Sequence, residues 1–426
     1  MVKRMPKASL RDVKDHREIS KIDSRGLKDH RELGREQDLF SFHDVAPGAI
    51  FWHPKGWIMY RTLLSFIQEK TEKEGYQEIS TPVMVKSALF RKSGHWEHFG
   101  EHNMFNLTID DEQWSLKPMN CPESTLVYSS RTRSYQDLPM KLSEYGILHR
   151  RELSGVLGGL FRVRQFSIDD AHLYVTPVQI QEEIHKLIEL VTAFYRSLDF
   201  TPHFYLATKP DKAMGDPKLW EEAEKDLEIA LKKAKVTYDI KPKDGAFYGP
   251  KIDIHIKDSQ DRDWQLATIQ LDFQIPERMK LTYVDQDGKK KRPVMIHRAI
   301  FGSFERFIGI LIEHFQGSFP LWLSPIQTAV IPVSDKNMLY ARQVNETLAH
   351  AGIHTHLDSR SETLPAKVRD SELMRIPYIL VVGEKEEKSR SVTVRTRDRK
   401  ETKEEDSNKF LARIISALGK RALELV

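Results

Sequence analysis

Residues 148–172, LHRRELSGVLGGLFRVRQFSIDDAH, constrain this chain more than any other stretch. Arg150 and Glu152 are one residue apart, so on an extended strand they share a face. SGVLGG follows, with Gly155, Gly158 and Gly159, the composition of a turn. Beyond it Val163, Phe166 and Ile168 set against Arg162, Arg164 and Asp170 read as an alternating strand. The segment is therefore a hairpin with arginines on both arms and an aromatic beside them. Arginines converging on a loop bind phosphate through forked, charge-assisted hydrogen bonds, and an aromatic ring beside them can stack a base. The plainer alternative is an antiparallel hairpin with a charged outer face.

A hairpin needs a core behind it, and 426 residues suffice for two full domains. The net charge is only +4, so any nucleic-acid surface must be local. A single cysteine, Cys121, rules out an intrachain disulfide and fits a reducing cytosol. The basic N-terminus lacks the apolar core of a signal peptide, and no apolar run is long enough to span a membrane. The expectation is a cytoplasmic protein without membrane partners.

Residues 1–33 are charged and hold two similar octamers, KDHREISK from Lys14 and KDHRELGR from Lys28, too few to build a repeat fold. Trp57–Lys73 has the spacing of an amphipathic helix, followed by a short strand closing on Pro82. Helices are expected at 125–132, 178–198 and 219–234, strands at 238–240, 251–256, 264–273 and 280–284, and an apolar helix over 299–314. This irregular mixture argues for an α+β domain with an antiparallel sheet over 34–322, behind a charged extension over 1–33. After Pro320 and Pro325 the grammar turns to βαβα, a small α/β domain with a mixed sheet over 323–426.

Arg-x-Glu, a loop, then Arg and Phe resembles motif 2 of class II aminoacyl-tRNA synthetases. HRxExSG…GLxRVRxFxxDDAH resembles the threonyl-tRNA synthetase family more narrowly, and the resemblance covers residue 28 to the C-terminus. It implies ATP-dependent ligation of threonine to tRNA-Thr through an adenylate. The long helix with its proline-closed strand resembles motif 1 and implies a homodimer. The family's N-terminal editing region has no counterpart here, so the chain is expected to form some Ser-tRNA and to lack its own means of clearing it unless a separate trans-editing protein does so. Another class IIa synthetase, such as a prolyl or seryl enzyme, is the same-class alternative. A non-catalytic synthetase paralogue that binds tRNA is the other, and its expected mark would be erosion of motif 2 or 3.

The resemblance also assigns roles. Arg150 holds the α-phosphate and the substrate carboxylate, Glu152 reads adenine, Arg162 takes the γ-phosphate and Phe166 stacks the base. Motif 3 appears as Gly302, Ser303, Glu305 and Arg306, with Arg306 on the γ-phosphate at a helix start. Mg²⁺ accompanies ATP. Asp170 accepts from the threonine hydroxyl, while Tyr248, Lys251, Gln265 and Gln270 match positions near the substrate, phosphate and ribose. His95 matches a histidine near the terminal tRNA ribose, a candidate for proton movement.

No compact zinc spacing exists in the chain, and taken alone Cys121, His172 and His297 read as ordinary buried or surface side chains. The resemblance makes them the ligands of one Zn²⁺ per subunit, leaving room for the amino and hydroxyl groups of threonine. A rival cluster is His95, His98 and His102, which could share a helix face, although Ser93-Gly94 disfavours a helix start there. In the C-terminal domain Glu386 and Arg395 match anticodon readers, with Lys388, Arg390, Arg397, Arg399 and Lys400 as general phosphate attraction. The family pattern is broken at Glu123, Ser124, Ile168 and Ser361.

Overall fold

The computed structural model describes residues 26–425 except 212, 214, 215, 247 and 398, and the side chains of His98, Glu101 and residues 399–401 are likewise outside the description. The octamer at Lys14 lies outside the described residues. The second copy opens the helix His30–Glu36, capped by the Asp29 carboxylate on the Arg31 and Glu32 amides. This helix buries His30, Leu33 and Gly34, and so crosses the division expected at residue 33.

The architecture is built on a nine-stranded sheet. Its order from one edge is Tyr238–Lys241, His203–Ala207, Lys251–Lys257, Asp263–Asp272, Val294–Ser303, Gln165–Val175, Met140–Glu144 and Gln77–Glu78. The strand Ile147–His149 pairs with the start of Gln165–Val175. All pairings are antiparallel except those at the two edges. One face is covered by the helices Ile180–Arg196, Pro217–Lys233 and Phe304–His314, whose apolar sides join the sheet's in a single large core. The helix Ile180–Arg196 buries Ile184, Leu187, Ile188, Val191, Phe194 and Tyr195 at helical spacing. A second core holds the C-terminal domain around Val330, Leu380 and Val394, on a five-stranded mixed sheet.

The expected hairpin is present, since Gln165 pairs with His149, Phe166 with Leu148 and Ser167 with Ile147. Three details differ. The first arm ends at His149, and the Glu152 amide turns back onto the Arg150 carbonyl at 2.8 Å, so a turn and not the strand pleat places Arg150 and Glu152. The second arm starts only at Gln165, beyond Arg162 and Arg164. Within it Phe166, Ile168 and Asp170 fall on one face, because nearly every residue of this central strand is buried and alternation carries no signal.

The helix expected over 299–314 is also corrected. Val294–Ser303 is a strand, and the helix begins at Phe304 with Ser303 Oγ accepting from the Arg306 amide. Ile300 and Phe301 are fully buried inside the sheet, and a short apolar run does not distinguish strand from helix. The helix expected over 125–132 spans Cys121–Ser129, with Pro122 accommodated in its first turn. The strand expected over 280–284 shortens to Tyr283–Val284, since Lys280 at φ 55° still belongs to a helix end.

Candidate active site

Directly opposed residues on neighbouring strands share a face. His172 opposes His297, His297 opposes Gln270, and Gln270 opposes Lys251, so these four form one row across the sheet face opposite the covering helices. The next row carries Asp170, Ala299, Thr268 and Asp253. The helix Cys121–Ser129 delivers Cys121 onto the first row, and the hairpin delivers Arg150 beside the second.

Cys121, His172 and His297 each offer a ligand atom, and these atoms lie within 4.8 Å of one another, all buried. Both ring nitrogens of His172 are buried without a hydrogen-bond partner. The His297 Nε2 faces the Asp272 carboxylate at 2.8 Å, which fixes the ring and its tautomer. Burial holds His172 well below the usual imidazole range, assisted by His297, and pushes the Cys121 thiol up. A thiol and two imidazoles, one ring backed by a carboxylate, are donor types that could hold a tetrahedral metal ion with a position left open. Orphaned imidazole nitrogens inside a protein are costly, and a cation between them removes that cost.

Asp170 stands at the edge of this group, 3.8 Å from His172 Nε2, and accepts from Asn120 Nδ2 at 3.3 Å. Burial raises its carboxyl to about 6 against the pull of His297 and Arg298. Tyr248 packs 5.3 Å from the His297 ring and donates its hydroxyl to Gln270 Oε1 at 2.9 Å, while Gln270 Nε2 is buried without a partner. Lys251 pairs with Asp253 at 2.6 Å. Gln265 is exposed and stands apart from this row. Its neighbour Leu266 presents a carbonyl 3.4 Å from where a Cβ on Gly302 would lie, so Gln265 sits at the motif 3 end of the site.

His95 is buried, with Nδ1 on Ser93 Oγ at 2.9 Å and Nε2 3.1 Å from Cys121 Sγ. The helix does start at His95 despite the Ser93-Gly94 pair, since Gly94 adopts φ 87° and closes the preceding helix. His102 is exposed while His95 is buried, so these two do not point into a common site.

The nucleotide side is assembled by guanidinium groups. Arg150 lies between two rings, 5.6 Å from Phe99 and 5.1 Å from Phe166, with its Nε donating to the Pro118 carbonyl. One face of Phe166 is therefore met by Arg150. Burial lowers the Arg150 pKa, and Glu152 counters it. Arg162 pairs with Glu152 at 3.1 Å. Arg306 donates Nε to the Phe161 carbonyl at 3.0 Å, and burial with the nearby Arg162 lowers its pKa. Arg150, Glu152, Arg162 and Arg306, from motifs 2 and 3, thus lie within electrostatic reach of one another, with Arg150 also close to Cys121.

Several participants were not singled out in the sequence. Asn120 touches Asp170, Asp272 orients His297, and Lys117 forms a fully buried ion pair with Glu144 at 2.8 Å. Among the departures, Ser124 hydrogen-bonds Tyr174 at 2.8 Å, and Glu123 is buried with neither oxygen partnered. In the C-terminal domain Glu386 caps its own helix through the Gly383 amide and accepts from Thr393, and Arg395 pairs with Glu372. Thr393 and Arg395 share a face of one strand, so the two expected anticodon readers are neighbours.

Residues 105–315 match the family model of the class II tRNA synthetase core domain (G, H, P, S and T), and residues 327–417 match an anticodon binding domain. The threonine–tRNA ligase of Caldanaerobacter subterraneus subsp. tengcongensis is 48% identical over 391 residues, 92% of this chain and 61% of that protein. That of Clostridium botulinum is 50% identical over 365 residues, 86% of this chain and 57% of its own length. The chain thus spans about 60% of the length of such relatives. The RNA binding domain of threonyl-tRNA synthetase from Cryptosporidium parvum superposes with a TM-score of 0.89 at 40% identity, covering 91% of this chain and 98% of that one. A putative threonyl-tRNA synthetase from Aeropyrum pernix gives 0.81 at 26% identity, covering 92% and 96%.

Proposed function

The chain belongs to the threonyl-tRNA synthetase family, and on that premise we propose that it activates L-threonine with ATP and transfers it to tRNA-Thr. The observation that carries the reading is the convergence of Cys121, His172 and His297 within 4.8 Å, next to the arginines of motifs 2 and 3. Zinc held by these three residues would supply a Lewis-acidic position for the amine and hydroxyl of threonine. Asp170 would accept the hydroxyl proton's hydrogen bond, and Tyr248 with Gln270 would close the pocket behind the side chain.

Arg150 would hold the threonine carboxylate against the α-phosphate. The carboxylate oxygen then attacks phosphorus and pyrophosphate leaves, with Mg²⁺, Arg162 and Arg306 offsetting the phosphate charge. Glu152 would select adenine, Phe166 would stack on it, and Lys251 and Gln265 would border the phosphate and ribose. His95 would accept a proton near the tRNA ribose in the transfer step only after its ring leaves the contacts with Ser93 and Cys121. Glu386 and Arg395 would read anticodon bases. A homodimer and a cytoplasmic location belong to the same reading; among the described residues no helix is long and apolar enough to cross a membrane.

Specificity follows from the donor set. Valine matches threonine in shape but lacks the oxygen, and a site built around a hydroxyl rejects such an analogue roughly 10⁴-fold. Serine loses only a methyl, about 1–3 kcal/mol, and leaks through. Metal analysis together with threonine-dependent pyrophosphate exchange tests the core of it, on the parent and Cys121→Ala. The expected result is about one zinc per chain in the parent, lost in the variant together with exchange. Exchange that survives without bound zinc overturns the assignment.

A further inference from the structure

The loop between the two arms of the motif 2 hairpin returns through Leu160 and Phe161 to Arg162. Two residues outside the hairpin hold that return. Arg306 takes the Phe161 carbonyl, and His30 takes the Leu160 amide, with Leu160 N donating to His30 Nε2 at 3.0 Å. The acceptor nitrogen carries no proton, so the ring proton is on Nδ1, which faces Glu313 Oε1 at 2.6 Å. Glu313 Oε1 also accepts the His30 amide at 2.9 Å, and its other oxygen meets Arg262 at 2.6 Å. Arg262 is held in turn by Asp258. A continuous chain, Asp258–Arg262–Glu313–His30–Leu160, therefore fixes the ring in one tautomer and one orientation.

The fit is close. His30 is 3% exposed and its ring lies 4.2 Å from Phe161. A Cβ on Gly159, at φ 56°, would stand 2.1 Å from His30 Nε2, so the glycine is what lets the loop reach the ring. On the outer side a cavity of about 300 Å³ is lined by Gly158, Phe161, Lys28 and Arg262 together with His30 and Glu313. Leu160 is fully buried in the main core and Phe161 packs 4.7 Å from the Trp264 ring, so core packing holds the side chains of the return while the His30 hydrogen bond fixes its backbone amide.

We infer that His30 is a positioning residue for the nucleotide: it fixes the return of the phosphate-binding loop and so the backbone from which Arg162 reaches toward the γ-phosphate. The inference rests on the functional reading above for the identity of the nucleotide. It assigns a role to the short helix ahead of the core, which motifs 1 to 3 do not include.

Three variants test it, with ATP affinity by calorimetry and pyrophosphate exchange measured on the same preparations. His30→Ala removes the acceptor and is expected to raise the Kd and KM for ATP roughly tenfold, the effect of one buried hydrogen bond. The KM for threonine should stay within about twofold, since the latch touches only the nucleotide side. His30→Gln places an oxygen near the Nε2 position and should restore most of the ATP affinity. His30→Asn keeps only a donor toward Glu313 and should behave like alanine. A purely structural role would lower the melting temperature of all three without this ranking. Unchanged ATP affinity in His30→Ala, or equal affinities in the glutamine and asparagine variants, overturns the inference. If alanine fails to fold, the Gln/Asn comparison carries the test. A parent that binds ATP but shows no threonine-dependent exchange would instead refute the functional reading, with the ATP affinities still judging the latch.

Discussion

Asp169 and Asp170 are adjacent, yet only Asp170 faces the site. Asp169 lies on the other face of the strand, fully buried against Arg298. Between Ile168/Ser303 and Asp170/Ala299 the pairing register slips, leaving Ile300, Phe301 and Gly302 in a bulge. The Asp169 carboxylate collects the bulge's amides, from Ile300 at 2.8 Å, Phe301 at 3.2 Å and Gly302 at 2.9 Å. This bulge leads directly into Ser303 and the helix that carries Arg306. Asp169→Asn keeps one oxygen and puts an amide donor in place of the other. Two consequences follow: donors face donors, at about 1–3 kcal/mol each, and the buried Arg298 loses its counter-charge, at about 3–5 kcal/mol. These overlap, so the expected loss is about 3–5 kcal/mol, severe but survivable for a domain stable by about 5–15 kcal/mol. Urea denaturation at pH 8 measures it, above the value of about 7 to which burial raises this carboxyl. A cycle with Arg298→Met should give a coupling of about 2 kcal/mol, and coupling below about 0.5 kcal/mol would refute the argument. The ATP KM of Asp169→Asn should rise as well, because Arg306 moves with the bulge.

Other outcomes are expected. In pyrophosphate exchange kcat/KM for valine should fall roughly 10⁴-fold below that for threonine, and serine by only about 10–200-fold; equal rejection of both would argue against recognition of the hydroxyl. Ser303→Ala removes the cap on the motif 3 helix and should cost about 1 kcal/mol by denaturant melt. Lys117→Met strands Glu144 in the core and should cost about 3–5 kcal/mol, while a loss under 1 kcal/mol would mean water reaches the pair. Burial raises the Glu305 carboxyl from 4.5 to about 8, so the folded chain holds this proton where the unfolded chain releases it. Stability relative to Glu305→Gln should therefore fall between pH 4.5 and 8, by at most about 1.4 kcal/mol per pH unit, and be flat outside that window.

What the sequence made legible was local chemistry and long amphipathic periods. The helices around 180–196 and 217–233 were readable because they bury one side and expose the other. Cys121, His172 and His297 were readable only through resemblance, since 51 and 125 residues of chain separate the successive members and spacing alone suggests no site. The strand 294–303 was read in part as helix because it is buried on both faces and lacks an alternating signal. Asp272, Asn120 and His30 act through partners far away in sequence, and no local pattern marks such a residue.

These misses share a cause that bears on how the site works. Side chains that would touch substrates sit on segments whose residues are distinctive, whereas the groups that aim them are ordinary residues made important by strand register. His297 can face Cys121 and His172 because it stands opposite His172 in the sheet and because Asp272 turns its ring. A one-residue slip of the strand 294–303 would send His297 to the far face and bring Arg298 into the site. The bulge at 300–302 then advances the strand by two residues without changing its phase and brings Ser303 to the cap of the next helix. Asp169 pins that bulge and Asp170 would take the substrate, so the pair ties the register of the sheet to the position of the threonine pocket. On the proposed function, selection of the amino acid and grip on the nucleotide would therefore depend on a single alignment of two strands, and a change that loosens it should damage both together.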